Sequence, residues 1–264
     1  MRELERERNG NERDIPALAI IGAGRVGCAL HRAARAAGID SRLAGRGDAS
    51  EASAGAEAAL LCVPDASIEE ACTAIAEAPG LRFVGHTSGA TGLEALAAAT
   101  TRGAAAFGLH PLQTITDDNP ELIGASCAVS GSTPEAVALA RSLAQRLGMR
   151  SFELPEERRA AYHAAASIAS NFLVALEESA AQLLERACVE NGRELLAPLV
   201  LRSAANWAQR GPEALTGPIA RGDEATVERH REAIEATMPE LLELYRVLAE
   251  RTRSLAAADS EVVA

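Results

Sequence analysis

Residues 17–27 read ALAIIGAGRVG, and they constrain the fold more than any other stretch. Five apolar residues run directly into Gly22, Gly24 and Gly27, and residues 28–37 (CALHRAARAA) then place their apolar side chains at helical spacing. The pattern is strand, glycine turn, helix. Gly22 allows the tight turn, Gly24 lets a pyrophosphate approach the backbone closely, and Gly27 lets the helix pack on the strand. The helix start, with Arg25 and Val26, then offers unpaired N–H groups and the positive end of the helix dipole to phosphates. A dinucleotide site at this turn is the first expectation.

The chain beyond it alternates. Residues 40–46 (DSRLAGR) read as a second strand, 58–63 (AALLCV) as a strand buried on both faces, 81–85 as a fourth and 104–109 as a fifth. Residues 126–130 and 150–154 complete the set, with helices expected over 67–78, from a capping box at Thr91 to Glu94, and over 134–147. Such alternation implies an α/β, Rossmann-like, mostly parallel sheet with ligands at the carboxyl ends of its strands. Strand signals then stop. Residues 156–191 read as one long helix, followed by helices over 193–210 and 224–253, with Asp223 as the cap of the last. The expected organisation is a charged tail at 1–13, a dinucleotide-binding domain at 14–154 and an all-α domain at 155–264.

Composition narrows the partners. A formal charge of −11 argues against nucleic acid or an anionic membrane. No stretch approaches the roughly 18 uninterrupted apolar residues of a membrane span. The five cysteines are scattered without a CxxC pair, as in a reducing cytoplasm, and the N-terminus lacks the apolar core of a signal peptide. No His, Cys or carboxylate set has metal-ligand spacing. All 26 basic residues are arginine, which removes any mechanism that needs a lysine.

Several polar residues stand out against this background. The second strand ends at Gly45-Arg46-Gly47, where an acid would select NAD; Arg46 suits the 2′-phosphate of NADP, although Asp48 just beyond is able to serve a 2′-hydroxyl. Val63 and Pro64 close the third strand beside the expected cofactor. The loops after the fourth and fifth strands offer His86, Ser88 and His110, the last expected in an exit loop over 110–114. His163, Ser167 and Asn171 recur every four residues among small apolar ones, a polar stripe that faces either a pocket or a neighbouring helix. Arg221, in the loop at 216–223, is either a carboxylate or phosphate grip or an exposed loop residue.

The runs GAGRVGCAL, VPD at 63–65, HTSGA at 86–90, GLHPLQT at 108–114, YHAAASIASN at 162–171 and TGPIARGD at 216–223 span nearly the whole chain. Together they resemble the family that joins an NADP-binding Rossmann-like domain to a C-terminal helical domain of unknown function, within the 6-phosphogluconate dehydrogenase-like group. The resemblance implies helices that close the substrate cleft and form a homodimer. It also implies a departure: Asn171 matches an Asn of the β-hydroxyacid dehydrogenases, and Ser167 stands where they carry a catalytic Lys. The SxG and HP loops resemble those of prephenate and arogenate dehydrogenases, which implies Ser88 and His110 as a polar catalytic pair.

The leading expectation is an NADP-dependent oxidoreductase acting on a small carbonyl, hydroxy or imine substrate. Ser88, His110, His163 and Asn171 form its expected site, with Ser167 and Arg221 toward the substrate and His110 moving the proton. Two alternatives stand beside it: a sensor or scaffold that binds NADP without turnover, and a prephenate-dehydrogenase-like enzyme.

Overall fold

Every residue of β1 (Leu18–Ile21) and β3 (Ala58–Leu61) is buried, as expected of strands covered on both faces. The computed structural model describes residues 15–116 and 122–262, so the tail expected at 1–13 lies outside the described residues. With β2 (Ser41–Ala44), β4 (Phe83–His86), β5 (Ala105–Leu112), β6 (Ser126–Gly131) and β7 (Arg150–Glu153), these strands form one sheet in the order β2-β1-β3-β4-β5-β6-β7. All neighbours are parallel except β5 and β6. The mostly parallel, Rossmann-like sheet expected from the alternation is the fold of this region.

Alternate side chains of each strand enter two cores. Leu18, Ile20 and Leu60 pack with Phe107, Leu109 and Val129 under α1 (Arg25–Ala36) and α3 (Pro134–Arg146), which contribute Leu30 and Leu143. Ala19, Ile21 and Leu61 face the other way, against α2 (Ile68–Ile75) and the short helix Ala97–Thr100, with Val84 and Leu96. Period-two burial on both faces produces the three layers.

Several sequence expectations are corrected by the structure. The fifth strand does not stop at 109. It continues through His110 and Pro111 to Leu112, because β6 pairs with it antiparallel from Phe107↔Gly131 to Leu112↔Ser126. The pairing of β4 to β5 ends at His86↔Gly108, so Pro111 sits where β5 has a single neighbour, a position that tolerates a missing N–H. The capping box at Thr91 does not form. The segment starts as a 3-10 turn at Leu93 with Gly92 before it and no side-chain cap, and the Leu93 N–H donates instead to the Glu156 carboxylate at 3.2 Å. The long helix over 156–191 is two helices, α4 (Arg159–Ala169) and α5 (Asn171–Arg186), separated at Ser170, whose φ of −124° and ψ of −79° are not helical.

The chain divides into two compact units, residues 1–167 and 168–264. The first extends beyond Leu154, where strand signals end, because α4 is tied to the sheet by the buried Arg159. The second unit holds α5, α6 (Gly192–Arg210), α7 (Glu224–Thr237) and α8 (Leu242–Val262). The helix expected over 224–253 breaks at Met238 and Pro239. Asp223 caps α7 as expected, accepting from the Thr226 N–H at 3.1 Å. No helix among the described residues is long and apolar enough to cross a membrane.

Candidate active site

The glycine turn is built as its sequence suggests. Gly22 has φ of +113°, which favours glycine, and a Cβ there would overlap the Cys62 carbonyl at the exit of β3. A Cβ on Gly27 would overlap the Gly22 carbonyl, so these two glycines let helix, turn and β3 close on one another. Gly24 is different. It has φ of −80° and ψ of −175°, open to any residue, and a Cβ there would meet no protein atom within 4 Å. No side chain caps α1 at Gly24 and its first turn carries no acid, so its leading N–H groups remain for an anion. Protein contacts therefore account for two of the glycines, and the space at the third fits a phosphate group.

Neighbouring elements frame this turn. Val63 touches it from the β3 exit, with Pro64 exposed just beyond. Val26 packs into the core, and exposed Arg25 donates to the Thr116 carbonyl at 3.4 Å. The Gly22 N–H donates to the Ala44 carbonyl at 2.8 Å, which brings the end of β2 alongside. Arg46 follows in the turn Arg46–Asp48; its side chain lies outside the described residues.

At the carboxyl ends of β4 and β5, polar groups gather around Arg159, which is only 4% exposed. Its guanidinium donates to both Glu156 oxygens at 3.2 and 2.5 Å, to the Ser88 carbonyl at 3.2 Å and to Ser130 Oγ at 2.8 Å. Burial pushes the Glu156 carboxyl up, but hydrogen bonds from Arg159 and Ser130 and the Arg159 charge outweigh it and leave Glu156 below its usual range. A Cβ on Gly108 would crowd Ser130 and Arg159, so this glycine inside a strand makes room for the guanidinium.

Ser88 and His86 hold the loop between them. Ser88 Oγ accepts from the N–H groups of Ala90 and Thr91 at 3.1 and 2.9 Å. His86 is fully buried; its Nδ1 accepts from the Ser88 N–H at 3.2 Å, which leaves Nε2–H to donate to the Gly92 carbonyl at 3.2 Å. Burial, then the charge of Arg159, pulls its imidazole below the usual range. Both ring nitrogens of His86 therefore serve loop structure.

His110 is half-buried. Its Nδ1 lies 2.6 Å from the Tyr162 hydroxyl, and its ring meets those of Tyr162 and His163 edge-on at 5.5 and 6.3 Å. Among the described residues Nε2 has no hydrogen-bond partner, yet no fully buried side-chain nitrogen or oxygen lacks one, so Nε2 reaches solvent. A Cβ on Gly89 would come within 2.9 Å of His110 Nε2 and 2.8 Å of His163 Cδ2, so the absent side chain admits both rings. Burial, with His163 and Arg159 nearby, pushes the His110 imidazole down to about 4. Burial, then Cys127, pushes the Tyr162 phenol up to about 12.

His110 and His163 thus lie side by side next to Gly89, whose neighbour Ser88 keeps its Oγ within the loop, and Ser167 follows half-buried on α4. The stripe does not extend to Asn171. That residue opens α5, in the second unit, and Arg221 lies in the same unit at the end of the short helix Pro218–Arg221. Sequence reasoning missed Gly89, Glu156, Arg159 and Tyr162. The signals available were Gly108 within an apolar strand and Tyr162, one of two tyrosines, beside His163. Among the described residues no cluster of three or more His, Cys, Asp or Glu is placed to hold a metal ion.

Comparison with known proteins agrees with this architecture. Residues 125–252 match the family described as a domain of unknown function, DUF2520, and residues 40–111 match the Rossmann-like domain. The chain joins a Rossmann-like domain to a DUF2520 domain. The DUF2520 match begins at β6, so it takes in the last two strands of the sheet as well as the helices. No curated protein matches the chain. A Bacteroides fragilis structure described as a "putative NADP oxidoreductase" is 21% identical, with a TM-score of 0.76 over 91% of this chain and 99% of its own. Reductive aminase from Aspergillus terreus, in complex with NADPH and ethyl-5-oxohexanoate, is 17% identical at a TM-score of 0.66, covering 89% and 93%. Pyrroline carboxylate reductase from Plasmodium falciparum, solved with NADP bound, is 14% identical at a TM-score of 0.60, covering 92% and 99%. The likeness is one of fold, shared with NADP-dependent reductases.

Proposed function

We propose that this chain is an NADP-dependent oxidoreductase that reduces a small carbonyl or imine, or oxidises the corresponding alcohol or amine. The observation that carries the reading is the glycine turn, closed by protein at Gly22 and Gly27 and open at Gly24, in the same sheet as the solvent-reaching Nε2 of His110. Parallel strands place ligands at their carboxyl ends, where both features lie. The NADP(H) held by the Plasmodium and Aspergillus reductases supports the cofactor class.

When bound, NADPH supplies two electrons and a hydrogen to an electrophilic carbon. The chain's own residues do the rest. The N–H groups after Gly24 bind the pyrophosphate, and Arg46 pairs with the 2′-phosphate. His110, neutral near pH 7, donates from Nε2 to the oxygen or nitrogen of the substrate; the nearby His163 orients it, and Arg159 fixes the loop that carries Ser88 and Gly89. With no lysine in the chain the proton-handling role passes to another group, for which His110 is proposed, and the same lack favours a second reading in which NADPH is sensed without turnover. A homodimer through the helical unit is part of the proposal. That unit exposes Phe172 at 61% and Trp207 at 68%, with Leu195, Leu199 and Leu201 also exposed, an apolar surface that a second copy would cover.

The test is a titration with NADPH followed by a screen of 2-oxo acids, keto-lactones and cyclic imines for NADPH consumption. Turnover of any of them supports the oxidoreductase. Tight NADPH binding with no consumption supports the sensor, and no NADPH binding removes both readings.

A further inference from the structure

We propose that Tyr162 is the proton supply of the site, donating its hydroxyl hydrogen to Nδ1 of a neutral His110 whose opposite nitrogen, Nε2, carries the hydrogen given to the substrate. The proposal rests on the oxidoreductase reading above and adds to it a residue and a route.

The geometry is fixed from both sides. His110 is held in β5 by its pairing with Ala128 of β6, and Tyr162 stands on α4 one turn after Arg159, which anchors that helix to Ser88 and Ser130. The 2.6 Å contact therefore joins two anchored backbones rather than two mobile side chains. Nδ1 is engaged by the phenol, while Nε2 is the nitrogen that solvent reaches beside Gly89. A phenol is a stronger donor than a neutral imidazole N–H, so Tyr162 donates and the proton of the ring sits on Nε2.

The surroundings explain why a through-route is needed. Burial above all, then His163, Arg159 and His86 around His110, disfavours the imidazolium, with Asp65 opposing them. A group that titrates at about 4 is charged in only about one molecule in a thousand at pH 7, so His110 does not store the proton it gives. A neutral ring has no such limit, because it loses hydrogen from one nitrogen as it gains it at the other. As the substrate carbon is reduced at the expense of NADPH, the π pair of its C=O or C=N moves onto oxygen or nitrogen. That atom forms a bond to the Nε2 hydrogen and the Nε2–H bond breaks; an Nδ1–H bond forms and the phenolic O–H bond breaks. The tyrosinate then regains its hydrogen from solvent: an O–H bond of water breaks, the phenolic O–H bond re-forms, and the hydroxide left behind is neutralised by the buffered medium, so the net reaction consumes one solvent proton. Burial, then Cys127, pushes the Tyr162 phenol up to about 12, with Arg159 opposing, so the phenol carries its hydrogen at neutral pH.

The test begins without substrate. The full chain, with nitrogen-15 histidine, is read by long-range nitrogen–proton correlation between pH 5 and 8, the His110 signals being assigned by His110→Asn. The expected result is the Nε2–H tautomer across the range, and Tyr162→Phe, which keeps the ring, moves the Nδ1 resonance with NADPH affinity within about twofold. An Nδ1–H tautomer in the wild type, or a His110 that titrates near its ordinary value, overturns the proposal whether or not NADPH binds. With NADPH and a probe that the screen shows to be consumed, Tyr162→Phe lowers kcat about a hundredfold at nearly constant KM. An unchanged kcat overturns the route even if the tautomer is as expected, while failure of NADPH to bind removes the oxidoreductase reading and leaves the tautomer result standing on its own.

Discussion

Replacing Arg159 by methionine removes a guanidinium but keeps a flexible aliphatic chain to fill its place. The Ser88 carbonyl and Ser130 hydroxyl then lose their donor in a buried setting, at about 1–3 kcal/mol each. The ion pair adds little, about 1 kcal/mol or less, since the Glu156 side chain is 40% exposed and water replaces the arginine. The expected loss is about 3 kcal/mol in the first unit. Hydrogen exchange of the β4 and β5 amides, which belong to the first unit, reads the change. Arg159→Lys should recover less than half of the loss, because an ammonium cannot present the planar fork that meets Glu156, Ser88 and Ser130 together. The pH dependence has a definite sign. Glu156 titrates below its unfolded value, so its contribution is complete above that value and disappears as pH falls through the folded one. The difference between wild type and Arg159→Met should therefore shrink in acid. A loss below about 1 kcal/mol at neutral pH would refute the view that this arginine ties α4 to the sheet.

His110 should make the fold acid-sensitive: between its unfolded value of 6.5 and its folded value of about 4 the unfolded chain binds a proton that the native one refuses. Stability falls across that window by up to about 3 kcal/mol, and His110→Gln should flatten this part of the denaturation profile, which a matching pair of profiles would contradict. Arg46→Glu should lower affinity for NADPH while sparing NADH, measured by fluorescence titration; a preference for NADH in the wild type removes the 2′-phosphate assignment. Light scattering should give a dimer, and Phe172→Glu combined with Leu199→Glu should give a monomer that still binds NADPH. A monomeric wild type contradicts the covered helical face.

Much of the fold was legible because its signals are local. Glycine spacing between an apolar run and a helix defines the first turn, and runs such as AALL need no distant partner to be read as buried strand. The errors came where a distant partner decides. His110 and Pro111 look like a loop until antiparallel β6 is present to pair with them, and Thr91 looks like a cap until Glu156 takes the Leu93 N–H. No proline or glycine marks the break at Ser170, so the stripe of His163, Ser167 and Asn171 looked continuous. Arg159 stands in the charged run PEERR, where an arginine reads as solvated, and only the fold brings it beneath Ser88 and Ser130. His110 carried its chemistry in the sequence, but its altered titration depends on burial and on neighbours from other elements.

The account turns on whether the space at Gly24 belongs to a cofactor, and Gly24→Val tests this directly by NADPH titration. Its backbone already suits valine and a Cβ there meets no protein atom within 4 Å, so the variant should fold, at a cost of about 1 kcal/mol for a poorer helix cap. The predicted result is NADPH binding by the wild type and a loss of at least about tenfold in affinity in the variant, equivalent to about 1.4 kcal/mol. A wild type that does not bind NADPH, or a variant that binds it equally well, contradicts the account.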